Sequence, residues 1–235
     1  MTLTLYQLVG KSDDDSFSPY VWRARLALAH KGLEATLVPV RFTEKDKIAF
    51  SGGKTLPVLT DGEVVCTDSW DIACHLEDHY PDAPTLFGGP IGKAGACFID
   101  SWVSAALFPF LFPMIALDVH DAIDDRDKAY FRQSRESRIG MTLEKFQQDR
   151  ADKLPRFRAA LGPLRLMLAR QPFICGDSPA YGDYIVYGAF HWARGTSTLE
   201  LLAADDPVAE WRERMLDLFD GLSRRAPSCP SSGGP

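Results

Sequence analysis

Ser16-Phe17-Ser18-Pro19-Tyr20-Val21-Trp22-Arg23-Ala24-Arg25-Leu26-Ala27-Leu28 is the stretch that decides the fold, together with Thr55-Leu56-Pro57-Val58-Leu59 and Thr67-Asp68-Ser69 further on. In the first block a serine stands directly before a proline that opens a run of helix formers. Serine is a good N-cap and proline is favoured at the first helical position. Ser18 is therefore expected at a helix N-terminus. There the unpaired N–H groups and the positive end of the dipole favour an anion, such as a thiolate.

Working outward, Leu3 to Leu8 reads as a strand, Pro19 to Lys31 as a helix stopped by Gly32, and Ala35 to Val40 as a second strand, which makes a β-α-β unit. A looser region with Lys45-Asp46-Lys47 and Ser51-Gly52-Gly53 follows. Two strands come next, Pro57 to Thr60 and Glu63 to Cys66, joined by Asp61-Gly62, a strong hairpin signal. Asp68 and Ser69 then cap a helix running to about Tyr80. Pro81 to Gly92, rich in proline and glycine, reads as a linker. Beyond it the pattern turns to helical segments near 93–118, 125–140, 151–170, 183–195 and 206–222. The expected organisation is a domain over 1–80, a linker over 81–92, an all-helical domain over 93–225 and a flexible tail over 226–235. That tail is too polar to offset its ordering entropy.

The composition excludes several classes of function. With 235 residues, 46% hydrophobic and 25% charged, the chain is large enough for a sizeable core. A net charge of −6 and no basic patch argue against a nucleic-acid partner. Residues 1–15 lack the charged head and apolar centre of a signal peptide, so the cytoplasm is the expected compartment. The longest apolar stretch, Trp102 to Leu117, contains Pro109 and Pro113 and falls short of the ~20 residues of a membrane span. It is expected to be buried, with no membrane partner. The five cysteines, at 66, 74, 97, 175 and 229, form no C-x-x-C pair and read as reduced, packed thiols. His75 and His79 stand four apart on a helix without a third ligand, so they read as surface histidines and no metal site is expected.

The three blocks, in this order and spacing, resemble the glutathione-binding half of soluble glutathione transferases. The resemblance implies a thioredoxin-like α/β N-terminal domain followed by an all-α domain, with glutathione as co-substrate. It further implies that Leu56-Pro57 is a cis peptide whose Leu56 backbone meets the cysteinyl part of glutathione. Asp68 and Ser69 would grip the γ-glutamyl end, and Lys54 would pair with the glycyl carboxylate. Ser18 would be the thiol-activating hydroxyl, with Ser16, two residues earlier, as substitute or second donor. Omega-type relatives carry cysteine at the place of Ser18. Lowering a thiol pKa of ~8.5 by two units takes about 2.7 kcal/mol. A hydrogen bond to a charged acceptor supplies ~1.5–3 kcal/mol and a helix N-terminus ~0.3–1. A serine hydrolase is disfavoured because no G-x-S-x-G elbow is present. A thiol-disulfide oxidoreductase is disfavoured because no cysteine stands at position 18.

The acceptor is expected between the domains, against Phe17 and the aromatic run that includes Trp102, Phe108, Phe110 and Phe112, which suits hydrophobic aromatic small molecules. The blocks around Ser18, Asp68-Ser69-Trp70, Asp118 to Asp121, Tyr130 to Glu136 and Asp217 to Leu222 narrow the resemblance to the lignin β-aryl-etherase branch and the fungal Fua class. This implies cleavage of β-O-4 aryl ethers, or alternatively a ligandin that binds plant phenolics with little turnover, in a homodimer. One departure concerns Ala180-Tyr181-Gly182-Asp183, which lacks the Ser or Thr cap usual three residues before this aspartate.

Overall fold

The computed structural model describes residues 3–229. Four strands form one sheet in the order β2-β1-β3-β4: β1 (Leu3–Leu8), β2 (Ala35–Val40), β3 (Val58–Asp61) and β4 (Val64–Cys66). β1 runs parallel to β2 and antiparallel to β3, with Leu5 opposite both Leu37 and Leu59. Leu3 and Leu5 alternate inward with Thr4 and Tyr6 less buried, the period-two pattern of a strand with one covered face. Helix α1 (Pro19–His30) makes the parallel crossover, and a 3-10 helix (Lys45–Ser51) fills the region read as loose. The hairpin turns one residue later than Asp61-Gly62 suggests. Asp61 stays in the ladder opposite Val64, and Gly62 takes the left-handed conformation at φ 59°. The Asp61 carboxylate is occupied there, accepting from His75 Nε2 at 2.9 Å and the Tyr80 hydroxyl at 2.8 Å. His75 is accordingly buried and stacked on His79 at 4.0 Å, which corrects the surface reading. No group of three metal-ligating residues occurs among the described residues.

Helix α2 (Ser69–His79) is followed by Gly88 and Gly89 at φ 65° and 97°, which turn the chain into α3 (Pro90–Trp102) with proline in its first turn. The helical part thus begins at Pro90, inside the stretch read as linker. A π-helical turn (Val103–Leu107) joins α3 to α4 (Phe108–Ala122). The widened turn precedes Pro109 and Pro113, which have no N–H to continue the ordinary ladder. By length and composition Pro90–Ala122 would suffice to cross a membrane, more than the interval 102–117 suggested. In the fold, Leu107, Leu111, Met114, Ile115 and Val119 are fully buried in the core.

Five of the remaining helices are α5 (Asp125–Ile139), α6 (Leu143–Gln147), α7 (Arg150–Ala160), α8 (Gly162–Leu168) and α9 (Tyr181–Thr196). The last, α10 (Pro207–Gly221), leaves helical geometry at Leu218, Phe219 and Asp220. The segment expected over 151–170 splits at Leu161-Gly162-Pro163, and α6 was not expected. Helix α9 is buried on nearly every side and forms the centre of the molecule. The Asp183 carboxylate accepts from the backbone N–H of Ile174 (2.8 Å), Cys175 (3.1 Å) and Ala180 (3.2 Å) and from Trp211 Nε1 (2.9 Å). The Asp183 N–H, which a cap hydroxyl would accept, donates instead to the Ala180 carbonyl at 2.9 Å. Cys97 and Cys175 are exposed, against the expectation that all the thiols are packed. Residues 226–229 are held: Arg194 donates to the carbonyls of Ser223 and Ala226, and Cys229 N–H donates to Arg194 at 2.9 Å. The remainder of the expected tail, 230–235, lies outside the described residues.

Candidate active site

Sheet topology gathers the three blocks at one end. β1 leads into the loop that carries Ser16 and Ser18, and Val58 at the start of β3 lies opposite Tyr6 near the end of β1. β4 finishes at Cys66, opposite Leu59, so the turn into Asp68-Ser69 emerges at the same end. The peptide Leu56-Pro57 is cis. Pro57 is buried and Leu56 half-buried, while Lys54 in the preceding turn is exposed.

Ser18 is the N-cap of α1, extended at φ −60° and ψ 127°, with Pro19 in the first turn. Its Oγ accepts from Val21 N–H at 3.5 Å. As the acceptor in that long bond, the hydroxyl keeps its own proton for another partner. The side chain of Ser16 is also buried, but its Oγ has no hydrogen-bond partner among the described residues, and its carbonyl receives Trp22 Nε1 at 2.5 Å. Asp68 caps α2 by accepting from Trp70 N–H at 2.7 Å, and Ser69 is buried with its carbonyl taking the Tyr181 hydroxyl at 2.6 Å. That last bond brings the second domain onto the site and leaves no mark in the sequence. Burial pushes the Tyr181 phenol well up, which keeps it a donor. Arg23 is likewise buried, pairs with Asp100 of α3 at 2.7 Å and lies 4.8 Å from the centre of the Tyr20 ring.

The aromatic residues expected to receive an acceptor are only partly together. Tyr20, Phe108, Trp192, Phe112 and Phe146 form a continuous row: Tyr20 to Phe108 5.9 Å, Phe108 to Trp192 5.8 Å, Trp192 to Phe112 5.7 Å and Phe112 to Phe146 5.5 Å. Tyr20, Trp192 and Phe146 were not singled out from sequence. They come from α1, α9 and α6, and only the tertiary structure aligns them. Burial raises the Tyr20 phenol above its ordinary value, so it is neutral at the end of the row nearest Ser18. Phe110 is exposed, and Trp102 makes no pairing with the row. Phe17 is buried, facing Phe42 at 6.5 Å and packed against Gly195, so it belongs to the loop's foundation rather than to an acceptor wall. A cavity of about 420 Å³ is lined by Lys11 and Asp15 of this loop with Asp118, Asp121, Thr196 and Cys229.

Models for the N-terminal and C-terminal domains of glutathione S-transferase match residues 17–79 and 95–217. Glutathione S-transferase Z1 of Arabidopsis thaliana is 39% identical over 69 residues, which is 27% of this chain and 31% of that protein; the match thus spans less than a third of the relative's length. Among solved structures, a glutathione S-transferase of Ceriporiopsis subvermispora in complex with glutathione superposes with a TM-score of 0.82 at 24% identity, covering 94% of this chain and 97% of that one. Glutathione transferase GSTFuA3 of Phanerochaete chrysosporium superposes with a TM-score of 0.83 at 21% identity and the same coverage. At these identities the superpositions speak for the fold. With one domain model spanning more than half of its residues, and a four-stranded sheet and helical domain arranged as described, the chain belongs to the glutathione S-transferase family.

Proposed function

We propose that this protein binds glutathione, holds it as thiolate at Ser18, and directs it onto hydrophobic aromatic electrophiles, specifically β-O-4 aryl ethers of the lignin type. The observation that carries this reading is the position of Ser18: an N-cap hydroxyl with its proton uncommitted, at the sheet end shared by cis Leu56-Pro57 and Asp68-Ser69. Leu56 offers its backbone to the cysteinyl part of glutathione, Asp68 and Ser69 hold the γ-glutamyl end, and exposed Lys54 reaches the glycyl carboxylate. The Ser18 hydroxyl donates to sulfur and is not itself a nucleophile. The thiolate attacks the carbon that bears the aryloxy group, beside the ketone. A C–S bond forms as the C–O bond breaks, and the phenolate leaves with the electron pair. The row from Tyr20 to Phe146 supports an aromatic acceptor, and the etherase chemistry itself rests on the sequence motifs.

The proposed assembly is a homodimer, for which the exposed Ile91 and Phe98 of α3 offer an apolar face. The proposed compartment is the cytoplasm, in keeping with five free cysteines.

The test is incubation with glutathione and an α-keto β-O-4 aryl ether that releases a fluorescent phenol. Release is expected to need glutathione and to fall about 100-fold in Ser18→Ala, the cost of losing one donor to a developing or held anion. Ser16→Ala, whose buried hydroxyl has no hydrogen-bond partner among the described residues, should stay within about twofold. No release, with glutathione and phenolics still bound and unaffected by Ser18→Ala, would replace the etherase reading by the ligandin one.

A further inference from the structure

Asp127 is a fully buried residue in the first turn of α5, in the helical domain, yet among the described residues every hydrogen bond its carboxylate accepts comes from the other domain. Its oxygens accept from Phe42 N–H at 2.8 Å, Thr43 N–H at 2.9 Å and the Thr43 hydroxyl at 2.6 Å. These residues lie in the loop after β2. From there two connections reach the loop that carries Ser16 and Ser18. The Phe42 ring, packed edge-on against Phe131 of α5 at 5.5 Å, faces the ring of Phe17 at 6.5 Å. Arg41 pairs with Asp124 at the start of α5 (3.3 Å) and with Asp13 (2.9 Å), and donates to the Lys11 carbonyl (3.4 Å). On its far side Phe17 meets Gly195 of α9, where a Cβ would come within 3.0 Å of it. The serine loop is thus wedged between two helices of the second domain, and the Asp127 carboxylate fastens one side of the wedge.

We propose that Asp127 is a positioning residue for thiol activation: through Phe42 and Phe17 it fixes the backbone that aims the Ser18 hydroxyl at the glutathione sulfur. This rests on the reading of Ser18 as the thiol-activating group. Asparagine at 127 keeps the shape but turns an NH2 toward two backbone donors and a hydroxyl, so at least one bond is replaced by a donor–donor contact. A loop loosened by this change misplaces the hydroxyl by a fraction of an ångström, and misplacement on that scale is costly to catalysis.

The decisive readout is the pKa of bound glutathione, followed by the ultraviolet thiolate band in a pH titration of the full-length protein. Removing a negative charge would by itself favour the thiolate and lower that pKa. Lost positioning does the opposite, so the sign separates the two. The titration midpoint in Asp127→Asn is expected to rise by about one pH unit and kcat to fall about tenfold, with KM for glutathione within about twofold. Asp127→Glu should recover part of the loss. Thr43→Val, which removes one hydroxyl and preserves the backbone bonds, should show a smaller rise of the same sign and covers the case in which Asp127→Asn does not fold. A midpoint in Asp127→Asn or Thr43→Val that stays put or falls overturns the proposal. A wild-type protein without a depressed thiol pKa, or one in which Ser18→Ala leaves it unmoved, overturns the Ser18 reading instead.

Discussion

His191 has its imidazole sealed in the core, with a ring centre 3.9 Å from that of Trp22 and Nε2 without a partner among the described residues. Burial, reinforced by the nearby Arg194 and Arg25 charges, holds its pKa well below the usual 6.5. His30, bonded to the Tyr184 hydroxyl at 2.6 Å, is lowered for the same leading reason, burial. The unfolded chain therefore takes up protons as pH falls through 6.5 while the folded chain does not. Stability is full above that pH and declines below it, by about 1.4 kcal/mol per pH unit for the sealed His191, with His30 adding in the same direction. The carboxyls of Asp15 and Asp183, both raised by burial, contribute with opposite sign. The difference between wild type and His191→Gln isolates the imidazole. Urea unfolding at pH 7, 6 and 5 should show a shallower decline in the variant; identical slopes would mean that His191 titrates normally. At this scale Ser18, Leu56-Pro57 and Asp68-Ser69 were legible because each is a local backbone device, a cap or a proline-fixed strand start. Tyr181, Trp192 and Asp127 were not, because their roles lie in partners 80 or more residues away in sequence.

The N-terminal turn of α1 carries Ser18, and it is placed by α9. A Cβ at Gly188 would come within 2.6 Å of the Pro19 carbonyl, backbone that cannot yield as a flexible side chain does. Gly188→Ala must push α1 outward, costing about 1–3 kcal/mol by overpacking and shifting the hydroxyl with the helix. Chemical denaturation is expected to show that loss together with a fall in glutathione conjugation larger than the folded fraction explains. Full activity per folded molecule would show that the turn absorbs the extra methyl. β1, β2 and α1 fell where the strand signals and the cap put them, and the β3-β4 hairpin one residue later. The helical domain was coarser, since its breaks at Leu161-Gly162-Pro163, at the π turn and at Phe219 depend on what lies beside them. Phe219 adopts φ 53°, costly for a residue with a Cβ, while its ring packs against His30 and Tyr184.

For the whole molecule, the most exposed large apolar side chains are two of α3. Phe98 is 73% exposed and Ile91 90%, two turns apart on one side of α3. If the proposed homodimer forms through this face, light scattering at micromolar concentration should give twice the chain mass. Phe98→Glu should weaken the dimer by about 2–4 kcal/mol, enough to leave monomer. A wild-type monomer would remove the dimer from the proposal. The sequence by itself determined the thioredoxin-like half, with its β-α-β start, its hairpin and the caps at Ser18 and Asp68, because short-range backbone preferences and one spaced set of motifs specify them. Only the tertiary structure decided the rest: that Phe17 supports the loop, that five aromatic rings from four helices make one row, and that α5 and α9 hold the serine loop from the second domain. Those relations are set by packing between segments far apart in the chain, and no local pattern of residues encodes where such segments meet.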